Sequence, residues 1–165
     1  MSNTISNVRL SINDYLKLSN GATDVFIDVL VLSGSLIAQT RWQKELVVFL
    51  SLNDQEIKGE GCVGFDISDL GWEIDNFTDQ KQFILKIVNS ALKKTNWNAL
   101  TYDPDEIKVF SNLRRFKEMI INFSIQLVEQ SGIQIWNNKF TEIEFKKCPK
   151  HKVFVHSSGC KLCHG

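Results

Sequence analysis

Four residues near the C-terminus constrain this chain more than any other feature. Cys148-Pro-Lys-His151 is followed, after eight residues, by Cys160-Lys-Leu-Cys163, so three of the four cysteines fall in one short segment with His151, His156 and His164 close by. Two ligands separated by two residues wrap a turn around an ion, and two such turns facing each other supply four donors at tetrahedral positions. The N-terminus MSNTISNVRL lacks the basic and apolar stretches of a secretion leader. Clustered cysteines in such a chain point to metal rather than disulfides. A closed set of three thiolates and one imidazole suits structural zinc, a d10 ion that needs neither an open position nor redox chemistry. Iron occupies similar sites and stays open, as do His156 and His164 in place of His151. His151 alone completes the paired two-residue spacing.

The 165 residues, 43% apolar and 23% charged, have the composition of a folded chain. They suffice for one ordinary domain with an appendage, expected as an α+β domain over 1–145 and a zinc knuckle over 146–165. No apolar run approaches the roughly 20 residues of a spanning helix, so the chain reads as cytoplasmic, with no membrane partner. The formal charge of zero disfavours a chain-wide polyelectrolyte partner. The signs are uneven, however: residues 1–75 carry five Lys/Arg against eleven Asp/Glu, and the remainder fourteen against eight. Cys62, in Cys-Val-Gly-Phe, reads as a small buried hydrophobe.

The N-terminal half reads as strands. Asp24 to Leu32 is dominated by β-branched and apolar residues between turn signals and is expected as a central strand. Leu36 to Thr40, Leu46 to Leu52 and Cys62 to Ile67 follow as an antiparallel meander. The second half reads as two amphipathic helices, about 78–94 and 104–130. Asp103 is expected to cap the second, with Pro104 at its first turn and Glu106 reaching back. Ser131-Gly132 would stop it, and two short strands, Gly132 to Trp136 and Phe140 to Phe145, lead into the knuckle. The expected fold is therefore α+β: an antiparallel N-terminal sheet, two long helices and a small C-terminal zinc hairpin.

No serine-hydrolase elbow, phosphate loop, dinucleotide fingerprint or metalloprotease motif is present, and a four-ligand metal site closes the shell that catalysis needs open. The expectation is a protein without catalytic activity. Asp66, Asp69, Glu73 and Asp75, considered as a hydrolytic cluster, read better as solvated. Two binding surfaces compete. Asp66, Asp69, Glu73, Asp75 and Asp79 interleave with Phe65, Leu70, Trp72 and Phe77, suiting capture of a basic protein with Trp72 as anchor and the acids steering encounter. Lys139, Lys146, Lys147, Lys150, Lys152 and Lys161, with Phe145 and Phe154 for stacking, suit nucleic acid instead. Protein binding is placed first, with nucleic acid the alternative.

Two resemblances bear on these residues. CPKHKVFVHSSGCKLC resembles the zinc ribbons and treble-clef-like knuckles attached to bacterial and phage nuclease-associated proteins. The likeness covers about Cys148 to Gly165 and carries over only the four ligands. GFDISDLGWEIDNF, followed by an amphipathic helix and NWNALTYDP, resembles the small acidic immunity proteins that neutralise bacterial polymorphic toxins. That resemblance implies a cognate toxin domain as partner; the surface expected to bind it, from the acidic and aromatic pattern above, is Asp66, Asp69, Trp72, Glu73 and Asp75.

Overall fold

The computed structural model describes residues 2–7, 14–130 and 145–164. The fold is α+β, but its centre is a helix. Strands β1 (Asn3–Ser6) and β2 (Tyr15–Leu18) precede helix α1 (Asn20–Ile37), which covers the stretch expected as a central strand. Short apolar runs do not distinguish a buried strand from a buried helix by periodicity, and the β preference of Val and Ile yields to context. Here the context is burial on every side. All residues from Phe26 to Ser35 are buried, and α1 packs against three further helices: α2 (Arg41–Ser51), α4 (Phe77–Leu92) and α5 (Glu106–Asn122). A helix that is apolar all round belongs in a core. With 18 residues and a mean hydropathy of 1.3, α1 is also long and apolar enough to cross a membrane by length and composition. Ser19 starts it, its hydroxyl accepting the Ala22 N–H at 3.3 Å.

The runs expected as strands over 36–40 and 46–52 are likewise corrected. The first is the end of α1 and its connection, and the second lies mostly in α2. Thr40 and Gln43 form a capping box at the start of α2, with both reciprocal bonds made. Gly34 lets the helices approach: a Cβ built there would sit 2.7 Å from Val47 Cγ2 and 3.3 Å from Ile87 Cδ1. A single turn, α3 (Gln55–Lys58), leads toward strand β3 (Gly64–Asp66), within the Cys62–Ile67 run expected as a strand. Cys62 itself is exposed rather than buried.

The sheet is ordered β2-β1-β3 and is mixed, not a meander. β1 pairs with β2 antiparallel (Ile5 opposite Leu16) and with β3 parallel (Ile5 opposite Phe65). The parallel pair is possible because α1 to α3 form the long crossover it needs. Gly64, at φ +151°, lies so close to β1 that a Cβ would fall 2.0 Å from the Thr4 carbonyl oxygen.

The two long helices stand near their expected places. α5 begins later than expected because Asp105, not Asp103, is its cap: the Asp105 side chain accepts the Lys108 N–H at 3.2 Å. The helix expected to run to 130 breaks at Phe123, which leaves helical geometry to stack on Trp72 with ring centroids 5.1 Å apart. A short helix, α6 (Ile125–Gln130), follows. The Ser131-Gly132 stop and, Phe145 aside, the strands expected over 132–145 lie outside the described residues. The C-terminal segment packs into the same buried cluster through Val153, Phe154 and Leu162. It ends in a four-residue turn, α7 (Lys161–His164).

Candidate metal centre

The knuckle is built by a tight return of the chain. Cys148 and Val153 are joined by an N–H···O bond of 2.8 Å, as are Lys152 and Cys148, and Lys152 takes a left-handed φ of +59°. A second turn pairs His156 with Gly159, also at positive φ, and delivers Cys160 into the turn of α7. Phe154 anchors the arm to α1, its N–H donating to Ser35 Oγ at 3.0 Å.

These turns bring Cys148, His151, Cys160 and Cys163 together, one donor from each and all within 4.8 Å of one another. His151 Nδ1 lies 3.7, 3.6 and 3.3 Å from the sulfurs of Cys148, Cys160 and Cys163, and Cys148 Sγ lies 3.8 Å from Cys163 Sγ. With Zn–S about 2.3 Å and Zn–N about 2.05 Å, a tetrahedron has edges of about 3.8 Å between sulfurs and about 3.6 Å between sulfur and nitrogen. The cluster therefore has the dimensions of a tetrahedral metal site. Cys148, His151 and Cys160 are buried and Cys163 is exposed. Burial disfavours the Cys148 thiolate, yet the amides of His151 and Lys150 and the His151 ring outweigh it and bring that thiol down to about 6. One sulfur is thus ready as a thiolate near neutrality.

His156 and His164 are not ligands of this cluster; they meet Asp54 instead. His164 Nδ1 lies 2.7 Å from Asp54 Oδ2, and His156 Nε2 lies 3.5 Å from the same oxygen. Burial lowers the pKa of His156, favouring its neutral form. Its Nδ1 accepts the Ser158 N–H at 3.0 Å, which leaves the ring proton on Nε2. A metal here would need Nε2 as a bare lone pair; Asp54, His156 and His164 lie close enough to hold an ion, and His156 Nε2 is buried without a hydrogen-bond partner. Burial alone would raise the Asp54 carboxyl, but bonds from His164 and the Glu56 N–H, aided by the Lys161 charge, hold it below the usual range.

Beside this cluster lies a cleft of about 330 Å³ between α1 and α3, whose lining includes Asp24, Asp28, Asp54, Tyr102, Lys161 and His164. Asp28 sits at its base, its side chain 6% exposed, with Lys161 Nζ 3.1 Å away and the Tyr102 hydroxyl donating at 2.7 Å. Lys161 also reaches Asp24 at 3.2 Å. Burial would lower the Lys161 pKa, but the facing carboxylates raise it and keep the ammonium charged. The sequence signal for this cleft is the pair of acids Asp24 and Asp28, four residues apart in an apolar run.

Trp72, expected as the anchor of the acidic surface, is interior. Trp72 is 1% exposed, donating from Nε1 to the Ile67 carbonyl at 2.7 Å, and Phe65, Leu70 and Phe77 are buried with it. Asp66 accepts from Ser6 Oγ and the Ser68 N–H, each at 2.9 Å, and Asp69 returns to the Asp66 N–H at 3.1 Å. Glu73 is half-buried and Asp75 exposed. The nucleic-acid set is also depleted, because Phe154 is buried and Lys161 is engaged in the cleft. Lys146, Lys147, Lys150 and Lys152 stay exposed, whereas Lys139 lies outside the described residues. Comparison with family models, curated proteins and solved structures finds no match for this chain.

Proposed function

We propose that this chain is a non-catalytic cytoplasmic binding protein whose C-terminal segment is locked by one structural zinc ion. The observation that carries this reading is the donor set: three sulfurs and one nitrogen within 4.8 Å of one another, with His151 Nδ1 3.3 to 3.7 Å from each sulfur and Cys148 Sγ 3.8 Å from Cys163 Sγ. Four protein donors fill a tetrahedral shell, and catalytic zinc keeps a position for water or substrate. Protein purified without chelator is expected to contain one zinc per chain, lost in Cys160→Ser because an alcohol is a poor ligand beside a thiolate. Elemental analysis finding no stoichiometric metal in the reduced protein rejects the centre, and stoichiometric iron rejects its identity as zinc.

The partner we propose is a cationic protein domain of the kind a nucleic-acid-degrading bacterial toxin presents, which the chain would neutralise as an immunity protein. Residues 66–79 carry five carboxylates and no Lys or Arg, and Asp75 and Asp79 are exposed. Since Trp72 is interior, we place the aromatic contact at Trp42, whose Nε1 donates to the Gly71 carbonyl and which lies half-buried in a cleft of about 530 Å³ between α2 and α4, lined also by Glu73, Asp79, Arg41 and Lys86. Such a surface recruits by charge and holds through an aromatic edge. Reversing Glu73, Asp75 and Asp79 should slow capture of the basic partner and flatten its salt dependence. Tight retardation of RNA or DNA at moderate salt, abolished by substituting Lys146, Lys147, Lys150 and Lys152 and unaffected by the acid reversals, overturns this partner in favour of nucleic acid.

A further inference from the structure

The last turn of the chain has two working faces. Cys160 and Cys163 point to the metal cluster, while Lys161 and His164, each one residue on, reach the cleft between α1 and α3. Residues three apart share one side of a helical turn, so α7 together with Cys160, which immediately precedes it, carries both pairs. We propose that this turn couples metal loading to closure of the cleft: the metal seats Lys161 and His164 on the carboxylates of α1 and α3, and those carboxylates in turn set the metal affinity. This inference rests on the metal centre proposed above and extends it to residues that are not ligands.

A turn this short has no stability of its own. One side is held by three sulfurs and His151; the other is held by Lys161 between Asp24 and Asp28 and by His164 on Asp54. The Lys161 side chain is 4% exposed and that of Asp54 2%. Neither charge tolerates loss of its partner, because a buried ion left alone costs far more than the pair contributes. Tyr102 donates to Asp28, and Asp54 Oδ1 caps α3 by accepting the Glu56 N–H at 3.0 Å, while the Asp54 carbonyl accepts the Ile57 and Lys58 N–H groups, so loosening at Asp54 passes directly to the α3 amides. Without metal the thiols no longer draw together, the turn loosens, and Lys161 and His164 withdraw from those carboxylates. Binding free energies are reciprocal, so a change in the cleft must reappear at the metal.

The test measures metal affinity by chelator competition on the full chain, with zinc and with cobalt(II), whose thiolate charge-transfer band reports the ligand set. Asp54→Asn and Lys161→Met are expected to bind both metals roughly 10- to 100-fold more weakly, the range typical of groups that orient metal ligands, with the cobalt band unchanged. Ile120→Val, a core change in α5, should leave affinity at the wild-type value. A second measurement needs only wild-type protein: removing the metal should accelerate hydrogen exchange at the α3 amides 56–58 by at least about 10-fold. Wild-type affinity in both cleft variants, or α3 exchange indifferent to metal, overturns the coupling while leaving the metal centre standing. Wild-type protein that binds neither zinc nor cobalt overturns the centre and the coupling together.

Discussion

The knuckle over 148–163 and the run over 24–32 make opposite demands on a reader of the sequence. In the knuckle, four donors of fixed chemistry lie within 4.8 Å of one another, close enough to hold one ion, and their spacing along the chain already points to the turns that gather them. In the apolar run, Val, Ile and Leu need only leave water, and helix and strand both achieve that. The structure puts the run in α1, buried from Phe26 to Ser35 among α2, α4 and α5. Directional bonds specify local geometry, whereas hydrophobic burial, being non-directional, leaves it to the neighbours. Where the two regions touch, at Lys161 and Asp28, a directional contact enters the hydrophobic region as well.

The sharpest break in this contrast is removal of the metal. Chelation or Cys160→Ser should loosen residues 146–164, since structural zinc supplies on the order of 10 kcal/mol or more in small metal-folded modules. Limited proteolysis should then cut within that segment while far-ultraviolet circular dichroism retains most of its helical signal. An uncut segment in metal-free protein would show that packing on α1 holds the knuckle without ligation.

Next in size is the contact between the regions. Asp28→Ala leaves the buried Lys161 ammonium with only Asp24 and should cost about 3–5 kcal/mol in denaturant unfolding. Replacing both partners, Asp28→Leu with Lys161→Met, should recover most of that loss. If Asp28→Ala alone proves neutral, the ion pair contributes nothing and the regions meet through packing only.

Smaller again is the helical packing of α1. Gly34→Ala should destabilise by about 1–3 kcal/mol, because the added methyl must displace the stiff Val47 side chain. A stabilised Gly34→Ala protein, gaining helix propensity without a clash, would show that α1 and α2 have room to separate.

The smallest effect belongs to the α5 cap. The Lys108 N–H and its ammonium outweigh desolvation and hold the Asp105 carboxyl below its ordinary value of 3.8. A lowered folded pKa means that the cap contributes fully above that pH and is lost as pH falls through the folded value. Thermal melts of wild type and Asp105→Ala should therefore differ by a constant amount from pH 7 down to about 5 and converge below 3.8. A gap that persists in strong acid would mean that the neutral side chain caps equally well.

Several features were legible before any fold was known. The meeting of Cys148, His151, Cys160 and Cys163 in one cluster followed from spacing, and the stripes of α4 and α5 from period. The Thr40-x-x-Gln43 capping box was also present in the sequence and marks α2 as a helix, but the apolar stretch after it dominated the strand reading. Trp72 shows the opposite limit: a tryptophan ringed by acids looks like an anchor until Phe77 and Phe123 close over it.

By itself the sequence determined the turns that gather Cys148, His151, Cys160 and Cys163, the α+β class and the two long helices, because each rests on contacts between residues close in the chain. Only the tertiary structure decided that 24–32 is helical, that β1 runs parallel to β3, that Trp72 is interior and that His156 and His164 belong to Asp54. Those outcomes depend on partners 51 to 110 residues away, such as Phe123 for Trp72, Ser6 for Asp66 and Asp54 for His164. At such separations it is the packing of whole elements, not the pattern within any one, that selects the partner.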